Sequence, residues 1–121
     1  MGVPVDPADF LPLKSDVLLV LLALATRPLH GYGVIRDVEE RTGGEILLQT
    51  GALYRTLRRL LNDTLIEACD RPAGEDATDE RRRYYRLTRL GQKVLDAEVA
   101  RMSRLVRAAA HTAGGKRPRL A

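Results

Sequence analysis

With 121 residues, 45% of them apolar but only 4% aromatic and none of them Trp, the chain is sized for one domain whose core is mainly Leu, Val, Ala and Ile. A lone cysteine, Cys69, excludes an intramolecular disulfide, and neither a secretory leader nor an apolar run of spanning length is visible, so a cytoplasmic protein with no membrane partner is expected. The net charge of +4 is uneven: residues 1–80 carry 8 basic and 14 acidic side chains, a net of −6, whereas residues 81–121 carry 12 and 2, a net of +10. A polyanionic partner for the basic end is one reading, and a solvated basic surface is the other.

Pro4, Pro7 and Pro12 without a hydrophobic period predict an extended, flexible arm over 1–13, in which Phe10 and Leu11 are suited to docking. From Ser15 or Asp16, both competent N-caps, the run VLLVLLALA is apolar on every side, which predicts a helix covered all round and in part by a second subunit. Pro28 ends it by disfavouring helical geometry at Arg27. A second helix is expected from about Gly31 to Arg41, with Tyr32, Ile35 and Val38 at helical spacing and Arg36, Asp37, Glu39 and Glu40 outward. Glu45 to Leu48 could form one brief strand, and Thr50 is placed to cap a third helix. In that helix Leu53, Leu57, Leu60 and Leu61 fall on one side, and Gly51, Ala52, Arg55, Arg58, Arg59 and Asn62 on the other.

LIEACDR and RRRYYRLT then alternate as the two strands of a hairpin whose long tip, PAGEDATDE, is acidic. Ile66 and Ala68 share one side of the first strand, and Tyr85 and Leu87 one side of the second. Tyr84 and Tyr85 point to opposite faces, so Tyr85 is assigned to the core and Tyr84 to the surface as a weaker nucleic-acid candidate. Thr88 is placed to cap a fourth helix, in which Leu95, Val99, Met102, Val106 and Ala109 recur at spacings of four and three, a seam of about two heptads. With Leu18, Leu21 and Leu22 of the first helix, this seam is expected to pair two subunits and to set two recognition helices roughly 34 Å apart. Residues 112–121 read as a flexible basic tail.

Helix, helix, helix, two-stranded wing, long helix is the order of a mainly α (α+β) winged helix-turn-helix with a C-terminal dimerisation helix. The boundaries expected are 1–13 for the arm, 14–88 for the DNA-binding domain, 89–111 for the dimerisation helix and 112–121 for the tail. The third helix would enter a major groove: Thr50, Gly51 and Ala52 let its N-terminus come close to phosphates or base edges, and Arg55 and Arg59 continue that face while Arg58 flanks it. Arg81, Arg82 and Arg83 would reach the neighbouring backbone or minor groove. Tyr54 borders the buried face, where its hydroxyl suits either phosphate contact or the core. Glu75, Asp76, Asp79 and Glu80 would be repelled by phosphate, so the tip is expected to point away or stay disordered.

Other residues have plainer readings. His30 has no second metal ligand near it and is assigned a structural role before Gly31; Gly31 and Gly33 lack the spacing of a phosphate loop and read as close-packing positions. Cys69 reads as inert filler rather than a redox switch. No nucleophile–base pair or metal-ligand cluster appears, so neither enzymatic activity nor a cofactor is expected.

Three segments, HGYGVIRDVEE at 30–40, TGALYRTLRRLL at 50–61 and RRRYYRLTRLGQKVL at 81–95, resemble in order and spacing the PadR family of bacterial transcriptional regulators. The likeness runs over roughly 14–107. It implies a homodimer that binds double-stranded operator DNA, usually as a repressor, and that releases it on a small-molecule or stress signal, with an effector pocket at the dimer interface in some members. Arg55 stands where family members commonly have proline, which bears on base preference, and Thr64 where they tend to have glycine, which bears on the turn. The alternative is a winged-helix protein-interaction module whose basic surface meets an acidic partner.

Overall fold

The computed structural model describes residues 5–75 and 82–112. Its elements in chain order are α1 (Ser15–Thr26), β1 (Leu29–His30), α2 (Gly31–Arg41), α3 (Thr50–Asn62), β2 (Ile66–Cys69), β3 (Tyr84–Leu87) and α4 (Arg89–Thr112), preceded by a 3-10 turn over Pro7–Phe10. The fold is therefore helix-dominated α+β, a winged helix-turn-helix with a long C-terminal helix.

Leucine and valine build the core, as a Trp-free composition requires. Val20, Leu21, Ala23 and Leu24 of α1 meet Val34 and Val38 of α2, Leu53, Leu57 and Leu60 of α3, and Val94 and Leu95 of α4 in one cluster. In α2 the inward residues are Val34 and Val38, while Tyr32 is 57% exposed rather than turned inward with Val38. No side chain caps α1: Lys14 occupies the N-cap position, and the backbone amide that the Asp16 carboxylate accepts from is that of the adjacent Val17. Thr88 does cap α4, accepting from Gly91 N–H at 3.0 Å while donating to the Thr64 carbonyl at 2.6 Å.

The sheet differs from the expected hairpin. It has three antiparallel strands in the order β1-β3-β2, with Leu29 opposite Tyr85, His30 opposite Tyr84, and Ile66 opposite Leu87. The extra strand is thus Leu29–His30, and Glu45–Leu48 forms none. There, Ile46 N–H donates to the Thr42 hydroxyl at 3.1 Å, so a side chain serves a donor that a strand would have paired. Because β3 is central, both its tyrosines are covered: Tyr85 joins the core, and Tyr84, 3% exposed, meets the His30 ring edge-on at 5.2 Å. Tyr84 is therefore not the surface residue its alternation suggested. On the edge strand β2 only Ile66 is buried, and Ala68 is exposed.

The segment before α1 is not an extended arm over its described length. Asp6 caps the 3-10 turn by accepting from Ala8 N–H, and Phe10, Leu11 and Leu13 pack on the core. Leu13 N–H donates at 2.6 Å to Glu98 of α4, a carboxylate 1% exposed that also accepts from Arg101. The Arg101 hydrogen bond holds Glu98 below the ordinary carboxylate range despite its burial.

Candidate nucleic-acid interface

The third helix sorts its residues by face as a 3.6 period requires. Leu53, Leu57 and Leu60 are buried, Leu61 is half-buried, and Arg55, Arg58 and Arg59 are exposed on the other side with Thr50 and Gly51. Thr50 is the first helical residue rather than the cap. Gln49, in an extended conformation, takes the N-cap position without a side-chain hydrogen bond, so no side chain covers the first-turn amides that carry the helix's partial positive charge. Gly51 is open to its surroundings except for Arg55, whose Nη1 would lie 3.6 Å from a Cβ placed there. Arg59, at the opposite end, borders a hollow shared with Phe10, Lys14 and Asp63. Thr56 ties the helix to α1 through the Asp16 carboxylate at 3.5 Å.

Tyr54 is half exposed and leans toward the start of α2, where its hydroxyl would stand 3.0 Å from any Cβ on Gly31. Glycine at 31 is what lets the tyrosine sit there. Between them and the base of the wing lies a cleft of about 360 Å³, lined by His30, Tyr32, Tyr54, Arg82, Arg83 and Tyr85. Tyr54, Arg82 and Arg83, far apart in the chain, are thus brought to one cleft, while Arg55, Arg58 and Arg59 lie along the exposed face of α3. Arg81 and the acidic tip residues Asp76, Asp79 and Glu80 lie outside the described residues. Glu75 is described, and lines an adjoining cleft with Arg27, Arg36 and Arg82.

His30 is the residue whose contribution the sequence understated. Its Nδ1 accepts from Gly33 N–H at 3.0 Å and so caps α2, which is the structural role expected. The ring also lies 6.4 Å from the Tyr32 ring, nearly parallel to it, and its Nε2 is 3.3 Å from Arg82 Nη1. Burial, and then the Arg82 charge, hold its pKa below the ordinary imidazole range, with Glu75 opposing. The order His-Gly-Tyr contained that signal, since a capping imidazole has one nitrogen left over. Cys69 is half-buried, and burial pushes its thiol up, so the reactive thiolate is disfavoured.

A second surface runs along α4. Val99, Met102 and Val106 are 48%, 39% and 59% exposed, and Ala109 and Leu105 are exposed beside them. Leu22, Leu95 and Val99 line a shallow groove of about 650 Å³ between α1 and α4. Leu22 is half-buried there and Leu18 is half-buried on α1, but Leu21 and Leu95, 0% and 3% exposed, are enclosed in their own subunit's core rather than offered to a partner as expected. Among the described residues no helix is long and apolar enough to cross a membrane.

Fold and site together define a winged helix-turn-helix regulator. Residues 19–97 match the transcriptional regulator PadR-like family, and the chain belongs to that family. Among curated proteins it is 39% identical over 88 residues to an uncharacterized 37.1 kDa protein in transposon TN4556 of Streptomyces fradiae, an alignment covering 73% of this chain but 23% of that protein. Among solved structures it resembles a PadR-like transcription factor from Bacteroides fragilis, with 26% identity, a TM-score of 0.65, and 79% and 87% of the two chains covered. It also resembles Bacillus subtilis PadR in complex with operator DNA, with 20% identity, a TM-score of 0.60, and coverage of 73% and 48%, a likeness of fold.

Proposed function

We propose that this protein is a homodimeric, sequence-specific repressor that reads operator DNA with α3 and the wing and is released by a small molecule or stress signal. The observation that carries the DNA reading is the division of α3: three arginines and a first turn without a side-chain cap on one exposed face, over a back of buried leucines. A solvated helix needs neither the bare N-terminus nor arginine-bearing strand ends beside it. In this reading Thr50, Gly51 and Ala52 approach the groove floor, Arg55 and Arg59 read guanine edges, and Arg58, Tyr54 and Arg81 to Arg83 hold phosphates. Crystallised with operator DNA, the Bacillus subtilis relative supports the same partner here. The apolar strip Val99, Met102, Val106 and Ala109, with Leu18 and Leu22, is the surface we assign to a second copy, and an effector would act at that interface.

Selection of fragments from genomic DNA should recover a palindrome. Replacing Arg55 and Arg59 together by Ala should abolish its preferential binding while leaving the circular dichroism spectrum unchanged. Removing a single phosphate-binding cation, as in Arg58→Ala, should lower the log–log salt slope by about one. Weak retention that is blind to sequence would instead favour an acidic protein partner.

A further inference from the structure

The cleft beside the start of α2 holds a hydrogen-bonding conflict. Gly33 N–H can only donate, so the Nδ1 of His30 that accepts it carries no proton, and the neutral ring keeps its proton on Nε2. Arg82 Nη1 lies 3.3 Å from that same Nε2, and a guanidinium also only donates. Two donors therefore converge on one point. The ring cannot turn away without giving up the α2 cap and its edge contact with Tyr84. What the pair lacks is a shared acceptor.

We propose that the acceptor is one phosphate of the DNA backbone, a single oxygen of which takes hydrogen bonds from His30 Nε2–H and Arg82 together. The inference rests on the DNA-binding reading above, and adds to it a neutral, oriented donor that also caps a helix. Tyr32, Tyr54 and Arg83 line the same cleft, and two hydroxyls and a guanidinium are the donors that suit the remaining oxygens. A free phosphate would offer the same chemistry. The duplex is favoured because the cleft joins residues of α2, α3 and the wing, the three parts that flank a groove-bound recognition helix. Glu75, the carboxylate whose charge the ring senses, is the group a phosphate would have to displace or outweigh.

His30→Asn separates the roles, because asparagine can still cap α2 but has no second ring nitrogen. It should weaken operator binding about tenfold with an unchanged salt slope. Arg82→Gln should weaken binding similarly and lower the slope by about one. The double variant should lose less than the product of the two, since both groups serve one oxygen. In the wild type, the His30 ring signals in proton NMR should move on adding operator duplex, with His111, the other histidine, as reference. Unchanged affinity in His30→Asn, full additivity, or a His30 ring indifferent to saturating duplex would each sink the seat and leave the DNA reading standing. Failure of the wild type to retain any duplex would remove both. If inorganic phosphate moves the His30 signals while neither substitution alters duplex affinity, the cleft serves a free anion and the DNA assignment is wrong.

Discussion

At residue 64 the backbone asks for a glycine and receives a threonine. α3 ends in a Schellman arrangement: Leu65 N–H donates to the Leu60 carbonyl at 3.0 Å and Thr64 N–H to that of Leu61 at 3.1 Å, which forces Thr64 to a φ of 59°. The same turn closes α2 with Gly43 at a φ of 62°, where no Cβ is strained. A β-branched residue in the left-handed region costs on the order of 1–3 kcal/mol. Thr64→Gly should accordingly stabilise the protein by about 1 kcal/mol, after the entropy glycine adds to the unfolded chain, and raise Tm by a few degrees in a thermal melt. An unchanged or lower Tm would mean that the Thr64 hydroxyl, which donates to the Asp63 carbonyl at 2.7 Å, holds the turn more firmly than its strain loosens it. Gly91 has the opposite logic: any Cβ there would collide with the Leu65 carbonyl, so α4 can start where it does only over a glycine.

Between elements, the decisive tie is the one from the N-terminal segment to α4. Glu98 accepts from Leu13 N–H and from Arg101, so one buried carboxylate joins residues 85 positions apart. Because its folded pKa is depressed, its contribution is fully present above the unfolded glutamate value of about 4.3 and is lost as pH falls through the lower folded value. Glu98→Ala should cost about 2–3 kcal/mol at pH 7, from two charge-assisted hydrogen bonds discounted for the partly exposed Arg101. The difference from wild type should shrink below pH 4 in denaturant titrations. A constant difference across that range would show that packing, rather than the carboxylate charge, carries the contact.

For the whole molecule, the exposed strip on α4 is the feature a single chain leaves unsatisfied. Val99, Met102, Leu105 and Val106 are all exposed on this one helix, and clusters of exposed apolar side chains mark interaction surfaces. Met102→Glu would bury a charge in any pairing of these strips, and should yield monomers in sedimentation with operator affinity sharply reduced, because two half-sites can then no longer be held at once. A variant that still sediments as a dimer would move the seam elsewhere, and Leu105, which lies off the expected spacing, is the first residue to substitute next.

Local pattern carried much of this protein by itself. The extent of α2, the helical period of α3, the break at Pro28, the cap at Thr88 and the basic outer face of α3 all depend on residues a few positions apart, whose chemistry is local. The three family-like segments have the same character, and their order was enough to expect the winged fold. What the chain order could not state is which elements meet. Leu29–His30 became a strand because Tyr84 and Tyr85 lay ready to pair with it, and that pairing buried both tyrosines where alternation allowed only one. Leu21 was taken into its own subunit's core and Glu98 was enclosed beside Leu13 for the same reason. Burial of a residue with an ambiguous pattern is set by long-range contacts, and period alone does not contain them. The pairing of His30 with Arg82, 52 residues on, is the clearest case: each side chain reads as ordinary alone, and only the fold sets their donors face to face.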